Sequence, residues 1–359
     1  MTTLILEFRQ RSLATWITTL ALSIAAAAQA APPGSKVSVV SQTREAPPAL
    51  SHPNHYPVTI QSCNRTVTFT HAPRRAISND INLTEMMLAL GLRDRMVGYT
   101  GISGWKTASP SLTAALGPLR ELARRYPPLE TLVGANADLY VAGWGYGMRV
   151  GGPVTPSSLA PFNIATYELT ESCGHVMARQ AATLDDTYND LRNLGRIFDV
   201  DARAEALIAS MQAQVSAVRH ALSGTPEKVR VFVYDSGQDK PFTAGALAMP
   251  TALIEAAGGR NVMDDVQQSW TQAGWESVVD RDPQAIIIVD YGPTTAEQKI
   301  HFLRDNPALA GIDAIRAGRF IVLPYDAATP GIHNAEAVGI IAHALHPHAF
   351  ARDAQPGSR

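Results

Sequence analysis

The sequence predicts an α/β protein of two lobes, each a mostly parallel sheet flanked by helices, with one long rigid helix joining them. Three observations predict it. Short apolar runs alternate with helical patterns, as βαβ units require. One segment recurs in both halves of the chain. Between the halves lies an amphipathic stretch well beyond average helix length.

The apolar runs place strands at 76–78, 96–99, 139–142 and 164–167 in the first half, and at 229–234, 285–289 and 320–323 in the second. The recurring segment is Leu129-Glu130-Thr131-Leu132-Val133, leading through Asp138 into a strand. Its counterpart is Trp275-Glu276-Ser277-Val278-Val279, leading through Pro283 into Ile286-Ile287-Ile288. Glu130 and Glu276 stand at the same offset from the strand that follows, so the lobes are expected to share a topology. Leu207, Ile208, Met211, Val215, Val218 and Leu222 form one apolar stripe. Asp201 is its expected N-cap and Ser223-Gly224 its stop, a span of roughly 33 Å. A strut of this kind limits opening to a small angle.

The 359 residues leave room for two lobes with full cores. Formal net charge is -2, from 30 basic and 32 acidic residues, with no basic block, so nucleic acid is excluded as a partner. Arg9 and Arg11 precede an apolar run ending in Ala28-Gln29-Ala30, the pattern of a cleavable secretory signal over residues 1–30. No cysteine lies near the cut, so no lipid anchor is expected. Residues 31–55 are rich in proline and polar residues and read as a flexible leader. The first lobe is then 56–200, the linking helix 201–222, the second lobe 223–351 and the tail 352–359. An unanchored exported protein of this kind points to a Gram-negative periplasm, and a monomer is expected. In an oxidising compartment the two cysteines, Cys63 and Cys173, are expected to pair; two free thiols are the alternative.

Several runs carry a family resemblance. Arg75-Ala76-Ile77-Ser78-Asn79-Asp80 with Leu90-Gly91-Leu92, the Leu129-Glu130 to Val141 segment, Ala257-Gly258-Gly259-Arg260-Asn261-Val262, Trp270 to Val279, Asn306-Pro307 and Leu345-His346-Pro347 keep their order over roughly Tyr56 to Phe350. Together they resemble the periplasmic binding proteins for ferric siderophores, haem and cobalamin. The resemblance implies two lobes on one helix, a metal chelate as cargo, no cofactor, and an ABC-type inner-membrane permease as partner. It also implies one docking carboxylate on each lobe. Glu130 matches the first. The second falls near Arg260, where several relatives carry Glu, so either Asp264 or Asp265 replaces it or the permease has changed to match.

Ligands of open α/β sheets bind beyond the carboxyl ends of the strands. The segment Gly143-Trp144-Gly145-Tyr146-Gly147-Met148-Arg149 follows a strand, and its alternate glycines predict an exposed loop. Its glycine spacing does not fit a dinucleotide fingerprint. Trp144, Tyr146 and Arg149 suit a large, flat, anionic chelate. Trp105, Arg124, Arg125, Tyr126, Phe242, Trp270, Tyr291 and Tyr325 lie at other strand ends, and His333 where relatives carry an arginine or an aromatic. The three arginines favour a ferric siderophore over cobalamin, haem or a bare Zn²⁺ or Mn²⁺ ion. Serine-hydrolase, zincin and P-loop motifs are missing, so an enzyme is not expected, and no convergent metal-ligand set is legible.

Overall fold

The computed structural model describes residues 55–224 and 228–351. The expected signal segment, nearly all of the leader, and the tail lie outside them. The strands are β1 (Val58–Ser62), β2 (Arg65–Phe69), β3 (Ala76–Asn79), β4 (Met96–Thr100), β5 (Glu121–Ala123), β6 (Leu139–Trp144), β7 (Gly147–Met148), β8 (Ala165–Glu168), β9 (Val229–Tyr234), β10 (Phe242–Ala244), β11 (Gly259–Asn261), β12 (Trp270–Gln272), β13 (Ala285–Asp290) and β14 (Phe320–Pro324).

Two parallel sheets organise the chain. In the first the order is β5-β4-β3-β6, and β6 also pairs directly with β8 along Leu139 to Ala142 and with β7 at Gly143 and Trp144. In the second it is β11-β9-β13-β14. Both sheets are covered on both faces, so their central strands are apolar throughout: every residue of β6 is buried, as is Ala285 to Val289 of β13. In each sheet the order reverses beside the first strand, between β3 and β6 and between β9 and β13. That shared switch bears out the related topology expected from the recurring segment.

The linking helix runs from Asp201 to Ala221, 21 residues, and buries Ala204, Ile208, Met211, Val215 and Val218. Its start differs from expectation. Val200 holds the capping position without a side-chain bond, and Asp201 is the first helical residue. Asp199, in the left-handed conformation at φ 55°, ends the preceding Leu184–Phe198 helix and turns the chain into the linking helix. The Asn334–Leu345 helix packs against the linking helix. Asn334 at its start accepts a hydrogen bond from Thr187 of the first half at 2.8 Å.

The β1–β2 hairpin gave no clear signal in the sequence. Its turn residue Cys63 is disulfide-bonded to Cys173, 110 residues away. Next to this bond, Arg65 donates to the buried Glu168 carboxylate at 2.7 Å, and Ser62 donates to the same oxygen at 3.0 Å. The hairpin is therefore fastened by charge to Glu168 at the end of β8 and covalently to the Glu171–His175 turn that follows it. We expect a Cys63→Ser/Cys173→Ser protein to lose roughly 4–5 kcal/mol of stability in urea melts, the chain-entropy value for a loop of this length. Alkylation with and without reductant checks the bond itself; labelling of both thiols without reductant contradicts it.

Candidate functional site

The two switch points face one another. Beyond β3 lies Asp80, and β6 ends on Gly143 and Trp144; beyond β9 and β13 lie Asp235 and Tyr291. These ends bound a cavity of about 390 Å³ between the lobes. Strand-end loops of β4, β5 and β14 add Trp105, Lys106, Tyr126 and Tyr325, and the β10–β12 pair adds Phe242 and Trp270. The walls are mainly aromatic. Phe242 and Trp270 stack at 6.1 Å between ring centroids, Trp105 meets Tyr126 edge-on at 5.2 Å, and Tyr291 lies 5.2 Å from Tyr325. Such surfaces supply large apolar area at fixed geometry.

The polar groups are few and mutually satisfied. Asp80 sits at φ 75° and ψ 161° and caps the Ile81–Ala89 helix by accepting from Ile81 N at 2.6 Å. The same carboxylate accepts from Lys106 Nζ at 2.5 Å and from the Tyr325 hydroxyl at 2.9 Å. Burial pulls the Lys106 ammonium down from its usual range, and the Asp80 charge opposes that pull. Asp235 accepts from Ser236 at 2.7 Å and from the Tyr291 hydroxyl at 2.8 Å; burial raises its carboxyl. Three bonds cross between the lobes here: Tyr325 to Asp80, Trp270 Nε1 to the Tyr146 hydroxyl at 3.3 Å, and Ser269 to Glu171 at 2.9 Å.

Eight of the expected residues line this cavity: Trp105, Tyr126, Trp144, Tyr146, Phe242, Trp270, Tyr291 and Tyr325. The 143–149 segment is a correction to the exposed loop read from its glycines. Strand β6 continues to Trp144, and Trp144 and Tyr146 are only 7% and 5% exposed. Gly143 and Gly147 serve close approach: a Cβ on Gly147 would lie 2.5 Å from the Tyr140 hydroxyl and 2.7 Å from Asn79. Trp144 also donates its indole N–H to Glu168 at 2.9 Å, so it braces the first lobe as well as the cavity.

The arginines stand apart from the central cavity. Arg125 and Arg149 line an outer hollow of about 380 Å³ that shares the Trp105 and Tyr126 walls. Arg125 lies over the Trp105 ring and Arg149 over Tyr126. Arg124 bonds Ser103 at 3.1 Å and lines neither hollow. His333 also lies outside both, 3.5 Å from Glu85. Arg260 forms a two-pronged pair with Asp264, at 2.8 and 3.2 Å, and Asp265 pairs with Arg281 at 2.5 Å. Both acidic candidates for the second docking position are thus neutralised locally. Glu130 and Glu276 are both exposed in the first turns of their helices, each nine residues before β6 or β13.

Asp80, Lys106, Asp235 and Ser269 line the cavity and were missed from the sequence. Asp80 had a legible signal, an acidic residue between a strand and an apolar helix. Lys106 had none, because its partner lies 26 residues back.

The family described as periplasmic binding protein matches residues 79–327. Among curated proteins, the vitamin B12-binding protein of Pectobacterium carotovorum is 29% identical over 219 residues, 60% of this chain and 71% of that protein. A periplasmic binding protein of Veillonella parvula superposes with a TM-score of 0.70 at 28% identity, over 81% of this chain and 97% of that one. An ABC-type Fe³⁺-hydroxamate transport system structure from Saccharomonospora viridis gives 0.69 at 24% identity, over 81% and 99%, a likeness of fold.

Glu171 gives the lobe contact a pH dependence. Burial, the largest influence, pushes its carboxyl up to about 8; its bond from Ser269 opposes this. The folded protein therefore holds a proton that the unfolded chain releases near pH 4.5. Stability from this group is complete below that pH and falls as pH rises through about 8, by up to about 1.4 kcal/mol per unit. Asp190, raised to about 7 by burial, acts in the same direction. In urea melts from pH 5.5 to 8, Glu171→Gln should show a clearly shallower decline than the parent. An identical slope contradicts the assignment.

Proposed function

The chain belongs to the periplasmic binding protein family, and on that premise we propose that it captures a corrinoid of the cobalamin class in the cleft between its lobes. It delivers this cargo to an ABC permease in the inner membrane. Proteins of this family bind transported ligands and are not enzymes, so the metal complex is cargo and no cofactor is involved. In this reading residues 1–30 direct export to the periplasm and are removed, and the protein acts there as an unanchored monomer.

The observation that carries the choice of ligand is an aromatic cavity in which Lys106 is the one cation among the lining residues and is already paired with Asp80. A strongly anionic chelate placed there would lose its water without gaining a free positive partner, and it would face Asp235 as well. A corrinoid has a broad apolar macrocycle with neutral amides at its edge, which suits aromatic walls and a few fixed polar groups. The likeness to a vitamin B12-binding protein supports the same class. The ferric siderophore favoured by the sequence keeps one supporting observation. Arg125 and Arg149 flank the outer hollow without a carboxylate partner among the described residues, and an anionic arm reaching outward would meet them.

The exposed helix starts at Glu130 and Glu276 are our docking proposal. They occupy equivalent positions in the two lobes, whereas Arg260 and Asp264 already satisfy each other. Opposite charge on the permease would steer and register the complex.

Isothermal titration with cyanocobalamin should give one site per chain, and Phe242→Ala or Trp270→Ala should weaken it at least about tenfold, the loss of a buried aromatic anchor. Arg149→Ala should change it less than threefold, a small effect on the same scale. Tight binding of a ferric siderophore, lost on Arg149→Ala, would reverse the ligand assignment.

Transport tests the docking proposal separately. Glu130→Ala and Glu276→Ala should each cut uptake in cells severely while leaving the titration unchanged. Full uptake by the double variant would refute it.

A further inference from the structure

Outside the cleft, three potential metal ligands from separate segments meet at one point. Glu85 comes from the Ile81–Ala89 helix, Asp326 from the Tyr325–Ala328 turn of helix after β14, and His333 immediately precedes the Asn334–Leu345 helix. Each offers one donor atom, and the three atoms lie within 4.8 Å of one another. Glu85 is 8% exposed, and its Oε2 has no hydrogen-bond partner. The facing His333 Nε2 is 3.5 Å from that oxygen, beyond the range of a charge-assisted hydrogen bond. His333 is thus its ion-pair neighbour, but the buried oxygen accepts no hydrogen bond, and that state is costly.

We propose that Glu85, Asp326 and His333 form a binding site for a divalent transition-metal ion of the Zn²⁺ or Ni²⁺ kind, distinct from the ligand cleft. One imidazole nitrogen with two carboxylates suits these borderline ions, whereas Mg²⁺ and Ca²⁺ select oxygen ligands alone. Glu336 lies 3.6 Å from His333 Nδ1, on the ring edge opposite the one facing Glu85. At that distance it makes no hydrogen bond, but its charge favours a ring orientation with Nδ1 toward Glu336 and Nε2 toward the ion, the side on which a carboxylate behind a ligating histidine usually stands. His333 remains partly exposed, which gives the ion a way in.

The position has a consequence for the lobes. Asp326 directly follows Tyr325, whose hydroxyl bonds Asp80 at the start of the helix that carries Glu85. An ion here ties the same two segments a second time, one helical turn from the cleft wall.

The test is titration of the full chain, stripped with chelator, with ZnCl₂, and with Co²⁺ followed by visible absorption. One Zn²⁺ per chain is expected, and Co²⁺ should develop ligand-field bands. Glu85→Gln and His333→Gln should each weaken Zn²⁺ binding at least tenfold. His55→Gln, which alters the separate His55, Asp199 and Asp201 cluster, should leave it intact. If Glu85→Gln does not fold, the partly exposed His333→Gln decides alone. Absence of binding, or binding that survives His333→Gln, overturns the proposal.

Discussion

Much of the structure around the cleft depends on one carboxylate. Asp80 is buried at the end of β3 in a backbone conformation, φ 75° and ψ 161°, that is otherwise almost confined to glycine. A side chain there is strained by roughly 1–3 kcal/mol, and what offsets it is the number of groups the carboxylate gathers. It caps a helix, neutralises a lysine that burial would otherwise discharge, and receives the hydroxyl of Tyr325 from the other lobe. Those bonds join the start of a helix, the loop after β4 and the segment after β14. Remove it, and Lys106 is left as a buried, unpaired cation facing aromatic rings.

The linking helix sets the range within which those bonds can form. It is continuous from Asp201 to Ala221, so the lobes cannot swing apart as they would on extended strands. The interlobe contacts at the cavity are side-chain bonds: Tyr325 to Asp80, Trp270 to Tyr146, Ser269 to Glu171. Five of these six residues line the cavity, and Glu171 sits just behind Ser269. Cargo bound as proposed would press on the same groups that hold the lobes together, so that recognition and closure would share their residues.

The strands were legible because both faces of each sheet are covered. Ile286-Ile287-Ile288 and Leu139-Tyr140-Val141 are continuous apolar runs for that reason, and they lie where the sequence puts them. Most cavity aromatics, such as Trp144, Tyr291 and Tyr325, were legible from position, as large rings at the carboxyl ends of strands, whereas Phe242 and Trp270 open the short strands β10 and β12. Charge was not, because its effect depends on partners distant in the chain. Asp80 and Lys106 are 26 residues apart, and Tyr325 is a further lobe away. Of the arginines read as cleft residues, Arg125 and Arg149 lie over Trp105 and Tyr126 at its outer edge, and Arg124 bonds Ser103 instead. The glycines of 143–147 were read as exposure; that holds for Gly145, whereas Gly143 and Gly147 mark close packing, since a missing Cβ fits either a solvent turn or a crowded one. Arg260 and Asp264 are four residues apart and pair locally, an arrangement that spacing permitted and side-chain placement decided.

The account rests on the cleft taking an intact, weakly charged metal macrocycle. Native mass spectrometry after incubation with an equimolar mixture of cyanocobalamin, a ferric hydroxamate, haem and ZnCl₂ tests this most directly. The account predicts one dominant adduct at the mass of cobalamin, with or without one added zinc. A dominant siderophore or haem adduct, or a protein carrying no organic ligand, would contradict it.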